Sequence, residues 1–178
     1  LPDNQIKALH QTPDGSLWIG TRNGLARFAD GRFTVFNHLN TPALVSDECN
    51  HLGEDADGNL WLAGSQLLLY RDGRWVAFQA DNSLLGPRGP SQRGPQSGAV
   101  YCLTPRREGG IWFAGRAGIT VFKDDWFTAL NENDVSPLSG LSPIGLLEEP
   151  IGVLWALAAN GAVYRQQLRS EEVDTVVQ

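Results

Sequence analysis

The hydrophobic residues of this chain fall into short runs that turn-forming residues separate. Up to Phe36, the runs cover residues 6–10, 17–20, 25–28 and 32–36, and the turns between them are Pro13-Asp14-Gly15, Arg22-Asn23-Gly24 and Asp30-Gly31. An Asp-Gly pair between two apolar runs is a strong hairpin signal, because the turn needs a positive φ that Gly adopts at little cost. This part of the chain is therefore predicted to form four short antiparallel strands.

A tryptophan motif recurs at a nearly fixed spacing. It first appears as Asp14-Gly15-Ser16-Leu17-Trp18-Ile19-Gly20, and its later copies are Asp57–Gly64, Gly109–Gly115 and, most loosely, Gly152–Leu157. The four tryptophans lie 43, 51 and 43 residues apart. Four-stranded antiparallel units spaced by roughly 40 to 50 residues are typical of the blades of a β-propeller. We therefore predict an all-β propeller in which each recurring Trp fills the gap between adjacent blades, rather than stacking on a carbohydrate.

Residues 1–178 are predicted to form a single propeller segment that consists of four blades. The blades cover residues 5–37, 48–79, 99–131 and 143–177, and a Gly/Pro-rich insertion over residues 83–98 accounts for the longer middle spacing. The insertion is predicted to be a surface loop, with a flap over one rim as the functional alternative. The fourth strand of the last blade is expected at Val173–Val177.

The number of blades raises the question of how the ring closes. Four is the bottom of the usual range for a propeller, and an open stack of four would leave two sheet faces and their edges unprotected. The loop-like start at Leu1-Pro2, the absence of Met and the weak fourth repeat favour a segment of a larger propeller. A small complete ring and a half that pairs with a second copy are the alternatives.

Composition narrows the class of protein. The apolar fraction of 42% and the six Trp suffice for a packed core. The net charge of -6 disfavours non-specific binding to nucleic acid, which needs an electropositive surface. No run of 18 apolar residues occurs, so membrane contact is expected only through parts of the protein outside this sequence. Cys49 and Cys102 lack metal-ligand spacing and are predicted to be small buried hydrophobic residues, with a disulfide between repeats as the alternative.

We searched the sequence for catalytic and metal-binding patterns. His10 and His51 lie on the first strands of adjacent repeats and could bind a metal with a nearby carboxylate, but their spacing does not match a metal motif, and polar residues lining a channel are the preferred interpretation. The sequence contains no nucleophile elbow, phosphate-binding loop or calcium loop. Glu148-Glu149 is interpreted as a solvated pair. We therefore expect no catalytic residue, no metal and no cofactor.

The loops are the expected place for a binding site, since variable loops on a repetitive scaffold carry function. One face of a propeller collects the blade-to-blade loops and the turns between second and third strands. The candidate ligand-binding residues there are Arg22, Asn23, His38, Asn40, Gln66, Arg116, Asn131 and Asn160. Amide and guanidinium groups suit a polyhydroxylated or anionic ligand through directional hydrogen bonds. The alternative is that exposed loops are polar without binding anything.

The first repeat carries a recognisable pattern. Leu1-Pro2-x-Asn4, Ile6-x-x-Leu9, Asp14-Gly15-x-Leu17-Trp18-Ile19-Gly20-Thr21 and Gly24-Leu25-x-x-Phe28 together resemble the two-component regulator propeller repeat. The resemblance implies a seven-bladed propeller in the periplasmic or extracytoplasmic sensor region of a hybrid histidine kinase or diguanylate cyclase. It also implies that the propeller receives a signal, in some members an oligosaccharide, and passes it through the membrane. The family has no fixed catalytic residues to carry over.

These observations predict a non-catalytic, ligand-binding sensory propeller segment of a bacterial signal-transduction protein. Its expected partners are a small molecule, for which the resemblance implies an oligosaccharide in some members, and further blades or a second copy of the chain. A first alternative is a metal-dependent lyase, because Gly109–Phe113 resembles the repeats of streptogramin lyases. A second is an assembly module that binds proteins through open blade edges.

Overall fold

The computed structural model describes residues 1–78, 100–115, 118–130 and 143–168, and it confirms the predicted all-β propeller fold class. These residues contain no helix, and therefore none with the length and apolarity to cross a membrane.

Blade 1 consists of β1 (Ile6–Gln11), β2 (Leu17–Thr21), β3 (Gly24–Ala29) and β4 (Arg32–Phe36). Blade 2 consists of β5 (Cys49–Glu54), β6 (Leu60–Gly64), β7 (Leu67–Arg71) and β8 (Arg74–Phe78). Blade 3 consists of β9 (Val100–Pro105), β10 (Ile111–Gly115), β11 (Gly118–Lys123) and β12 (Trp126–Ala129). Blade 4 has three described strands, β13 (Pro143–Glu148), β14 (Val153–Ala158) and β15 (Val163–Gln167). The predicted insertion at 83–98 and the predicted strand at Val173–Val177 lie outside the described residues.

Each blade is an antiparallel meander whose strands follow chain order. The turns between the third and fourth strands are Asp30-Gly31, Asp72-Gly73 and Asp124-Asp125, and all six residues have a positive φ between 50° and 75°. Turns with two positive φ values match the twist of the flanking strands, which explains why Asp-Gly recurs there. In blade 3 the second position is Asp125 rather than Gly, and it adopts a φ of 63°.

The blades stack side by side, with their first strands on the inside. β1 packs against β5, β5 against β9 and β9 against β13. Among the described strands no comparable packing joins β13 back to β1. Within the described residues, the four blades therefore form an open stack.

Trp18, Trp61 and Trp112 each point toward the following blade. We call this side of a blade its front face and the opposite side its back face. Trp18, Trp61 and Trp112 are buried where the front face of one blade meets the back face of the next. The predicted gap-filling role is confirmed for these three. Trp155 differs: it lies on the front face of blade 4, which no described blade covers, and it is only half-buried.

The three blade-to-blade cores have different compositions. Trp61 lies among phenylalanines, with ring centroids 5.1 Å from Phe113 and 4.7 Å from Phe122. The core between blades 1 and 2 joins Trp18 and several leucines, and the one between blades 3 and 4 joins Trp112 to small and aliphatic residues. Cys49 and Cys102 are buried free thiols in these last two cores, as predicted.

Candidate functional site

The stack presents two opposite polar surfaces, which the strand order defines. The loop face carries the turns between second and third strands and the connections from one blade to the next. The turn face carries the other two hairpin turns of each blade. The described candidate residues Arg22, Asn23, His38, Asn40, Gln66 and Asn160 all belong to loop-face segments, as the alternation of strand direction requires. Arg116 and Asn131 lie outside the described residues.

The connection between blades 1 and 2 is held by its own polar side chains. The His38 ring Nδ1 lies 2.5 Å from the Asp47 carboxylate, which also accepts the His38 backbone N–H. Asn40 donates to the carbonyl of Val35 and accepts from the backbone N–H of Asn37. Leu44 anchors the segment in the core below. His38 and Asn40 thus shape this loop.

Two further candidates join neighbouring segments of the loop face. The Gln66 amide donates to the carbonyl of Ser46 at 2.9 Å and accepts the backbone N–H of Val45 at 3.1 Å. Asn23 donates to the carboxylate of Asp3 at 2.5 Å. These bonds fix the edge of the loop face and leave fewer amide groups available to a ligand.

Arg22 and Asn160 retain more of their bonding capacity. Both are exposed, and among the described residues the Asn160 side chain bonds only through its carbonyl oxygen, which accepts the backbone N–H of Ala162 at 3.0 Å. Within the described part of the chain, the Arg22 guanidinium has no hydrogen-bond partner, and only its backbone N–H is bonded, to Gln5. These two side chains are the candidates best able to hold a ligand.

Sequence reasoning missed a row of bulged residues, one in each blade, on the loop face. Every inner strand has a register shift near its start, and this shift leaves one residue unpaired in each blade. The four residues are Lys7, Asn50, Tyr101 and Ile144. Bulges of this kind re-aim a side chain and are frequent beside functional sites. No hydrophobic or turn signal marks them, because a bulge depends on how two strands pair.

The inner strands carry two histidines, His10 and His51. His10 Nε2 is 3.0 Å from the Glu54 carboxylate, which joins blade 1 to blade 2. Burial lowers the pKa of His51 below its ordinary value, so its neutral form is favoured. Within the described ranges, no three His, Cys, Asp or Glu side chains come together as a metal site. The arrangement makes His10 a link between blades.

The turn face has an acidic cleft between blades 2 and 3. Its volume is about 360 Å³, and its lining includes Asp55, Asp57, Asp72, Asp124 and Asp125 together with Arg71 and Lys123. Arg71 bridges the two blades through Asp125 at 2.8 Å. Asp55 is buried and accepts from the Asn59 backbone and the Trp61 indole. The bonds of Asp55, Arg71 and Asp125 hold the cleft walls together.

The interpretation of Glu148-Glu149 as a solvated pair is wrong for Glu148. Its carboxylate is buried between blades 3 and 4 and accepts the Trp112 indole N–H at 2.8 Å, the Gly152 N–H at 3.0 Å and the Arg107 N–H at 3.1 Å. Glu149 remains exposed and pairs with the Arg107 side chain. Three donors compensate the burial of the carboxylate, which makes Glu148 a joint between two blades.

Comparisons with known proteins agree with this architecture. Residues 1–23 match the family model described as the two component regulator propeller, which confirms the resemblance in the first repeat. The chain is similar to the extracellular domains of two hybrid two component systems from B. thetaiotaomicron. For BT3049 the TM-score is 0.76 at 21% identity, over 94% of this chain and 24% of that one. For BT4673 it is 0.67 at 17% identity, over 93% and 22%. No curated protein matches in sequence.

The same fold also occurs in proteins of other classes. Virginiamycin B lyase from Staphylococcus aureus matches with a TM-score of 0.55 at 18% identity, over 94% of this chain and 57% of that one. These likenesses define a shared fold, and the chain spans about a quarter of the two sensor domains it matches.

Proposed function

We propose that this chain is a non-catalytic, ligand-binding segment of an extracytoplasmic sensory propeller in a bacterial signal-transduction protein. The observation that carries the proposal is the fold shared with extracellular domains of hybrid two component systems over nearly the whole chain. The regulator propeller match in the first repeat supports the same context. The proposed location is extracytoplasmic, the periplasm being one such compartment.

The proposed ligand site is the loop face near the inner strands. Arg22 and Asn160 offer donor groups there, and the bulged Lys7, Asn50 and Tyr101 add a cation, an amide and a phenol. Amides and cations bind hydroxyl and carboxylate oxygens directionally, and an aromatic ring can pack on the apolar face of a sugar. An oligosaccharide, neutral or acidic, is the ligand class that suits this set of groups. The other described candidates, Asn23, His38, Asn40 and Gln66, would form its rim.

The proposed signal is a change in how propeller copies are arranged. A ligand shifts an equilibrium between two arrangements only if it binds one of them more tightly. A site at the loop-face ends of the inner strands would meet this condition, because its bulged residues come from different blades. Their spacing would depend on how the blades lie relative to one another.

A thermal-shift screen against oligosaccharides tests the proposal. A ligand at a hundredfold excess over its Kd adds about 2.7 kcal/mol of stability. For a domain of this size that corresponds to roughly 5–10 °C in Tm. A selective shift supports ligand binding, whereas a flat response to neutral and acidic panels would count against it.

A matched pair of arginine variants then locates the site. Arg22 lies on the loop face and Arg32 on the turn face, and both are exposed in the same blade. Arg22→Ala should weaken binding about 10- to 100-fold, since hydrogen bonds to a charged group are worth roughly 1.5–3 kcal/mol. Arg32→Ala should leave Kd unchanged. Equal effects of both variants would remove the loop face from the proposal, and a change in ligand mass on incubation would refute the absence of catalysis.

A further inference from the structure

The loop between blades 1 and 2 uses only one end of the His38 ring. The ring Nδ1 and the His38 backbone N–H bond to the two carboxylate oxygens of Asp47, at 2.5 and 2.7 Å. Within the described residues, the second ring nitrogen, Nε2, has no hydrogen-bond partner. The His38 side chain is 54% exposed, whereas that of Asp47 is 20% exposed. The ring is therefore anchored at Nδ1 and open to a ligand at Nε2.

The Asp47 carboxylate determines which nitrogen of His38 carries the proton. An ionised carboxylate can only accept a hydrogen bond, so the Nδ1 atom that faces it must be the N–H donor. In a neutral imidazole the other nitrogen is then an acceptor, because only one of the two is protonated. The second bond of Asp47, to the His38 backbone, holds the ring in place. Nε2 is therefore an acceptor with a fixed direction.

The other two histidines of the chain do not offer such a nitrogen on the loop face. The Nε2 atom of His10 lies 3.0 Å from the Glu54 carboxylate, at the turn-face end of its strand. His51 is half-buried, and no carboxylate of the described residues fixes its tautomer. His38 is thus the histidine whose Nε2 atom is both oriented and available.

A hydroxyl-rich ligand needs acceptors as well as donors. The Arg22 guanidinium carries donors only, and Asn160 already uses its carbonyl oxygen for the backbone N–H of Ala162. A sugar hydroxyl both donates and accepts, so donor groups alone leave its hydrogen without a partner. The Nε2 atom of His38 supplies a free acceptor beside these donors.

His38 lies close to the bulged residues of the proposed site. Asp47, which holds the ring, comes three residues before the bulged Asn50 at the start of β5. Three residues of extended chain span at most about 11 Å. A short oligosaccharide covers this distance, so one ligand can contact both His38 and Asn50.

We propose that His38 is a specificity-determining residue of the loop-face site, where its Nε2 atom accepts a hydrogen bond from a ligand hydroxyl. Asp47 is its positioning residue, because it keeps the proton on Nδ1 and the ring in one orientation. The inference rests on the proposed function and adds to it a defined acceptor. The chemical class of ligand that it requires is a saccharide with a free hydroxyl directed at His38.

His38→Asn tests the acceptor while it preserves the loop. The Asn amide places an NH2 donor near the position of Nδ1, so a bond to Asp47 remains, but no group replaces Nε2. For each oligosaccharide of the thermal-shift panel that binds the wild type, calorimetric titration should give a Kd about 3- to 10-fold higher, the factor of one neutral hydrogen bond. The Tm of the unliganded variant should equal that of the wild type.

Leu39→Ala is the control in the same loop. Leu39 is 81% exposed and its side chain has no polar group, so its truncation should leave Kd unchanged. A loss of affinity in Leu39→Ala as large as that in His38→Asn would show a general effect of the loop and would overturn the role of Nε2.

Nitrogen NMR of the imidazole rings tests the role of Asp47 without any ligand. The His38 ring should carry its proton on Nδ1 in the wild type. Asp47→Asn should remove this preference, because an amide can either accept from Nδ1 or donate to it. On addition of an oligosaccharide that binds, the Nε2 signal of His38 should shift.

The outcomes separate this inference from the function on which it rests. A wild-type His38 ring with its proton on Nε2 would overturn the positioning role of Asp47 and the proposal with it. Equal Kd values for the wild type and His38→Asn would overturn the role of His38 and leave the loop-face site intact. A panel that shifts no Tm would count against the proposed function itself, and the inference would fall with it.

Discussion

Replacing Glu148 by Gln tests whether a buried carboxylate joins blades 3 and 4. In the wild type, one carboxylate oxygen accepts from the Trp112 indole and the Arg107 backbone, and the other accepts from the Gly152 backbone. Gln keeps the shape but turns one acceptor into an NH2 donor, so at least one N–H loses its partner. The neighbouring Glu149→Gln is the control, since the Glu149 side chain is 53% exposed and, among the described residues, pairs with the Arg107 side chain alone.

The expected magnitudes follow from the number of bonds lost. A buried donor left unsatisfied costs roughly 1–3 kcal/mol, and the remaining bonds lose the strengthening that a charge provides. We expect Glu148→Gln to lower the free energy of unfolding by about 2–4 kcal/mol. Glu149→Gln should lower it by about 1 kcal/mol or less, because exposed ion pairs contribute little.

Urea denaturation followed by tryptophan fluorescence measures both variants. The indole of Trp112 donates directly to Glu148, so its emission should change with the substitution as well as with unfolding. An unchanged m-value would show that the midpoint shift reports stability alone. The contrary result would be a free energy of unfolding of Glu148→Gln within about 0.5 kcal/mol of the wild-type value, which is the scatter of neutral surface substitutions. In that case, or if Glu148→Gln destabilises the chain no more than Glu149→Gln does, the role of Glu148 in connecting blades 3 and 4 is wrong.

Three further outcomes are expected. Gly64→Ala should lower the free energy of unfolding by about 2 kcal/mol or more in the same urea assay, because a Cβ at residue 64 would lie 2.2 Å from the Glu48 carbonyl oxygen. Gly145→Ala is the control and should be near neutral, because its Cβ would meet only ordinary van der Waals contacts. The two thiols, whose pKa values burial raises to about 12, should resist a thiol reagent at neutral pH until urea unfolds the chain; rapid labelling of the folded protein would contradict this. Stability should fall as pH drops below about 6.5, since the depressed pKa of His51 makes the unfolded state bind the proton more readily, and His51→Gln should flatten that part of the pH profile.

Local signals were enough to predict most of the fold. The strands β2, β3 and β4 begin and end within a residue of the predicted runs, because Asp-Gly turns and apolar runs are properties of neighbouring residues. The recurring Trp likewise predicted three buried interfaces. Trp155 departs from the pattern because burial requires a following blade, and the motif around a Trp carries no information about its neighbour.

The candidate site was predicted less completely, for a physical reason. Strand alternation places Arg22 and Asn160 on one face, and this much follows from the order of the turns. Whether a loop side chain is available to a ligand depends on partners distant in sequence, as for Gln66, which bonds to Ser46. The same limit applies to Glu148, whose burial is decided by Trp112, 36 residues away. Ligand binding at the loop face stays a prediction.

The dense aromatic core between blades 2 and 3 has a consequence for the order in which the blades unfold. Trp61, Phe78, Phe113, Phe122 and Phe127 all meet there, and both adjoining blades are also flanked on their other sides. In a stack whose units touch only their neighbours, stability is close to a sum over interfaces. Among the four described blades, the interface between blades 2 and 3 should therefore be the last to separate when the chain unfolds.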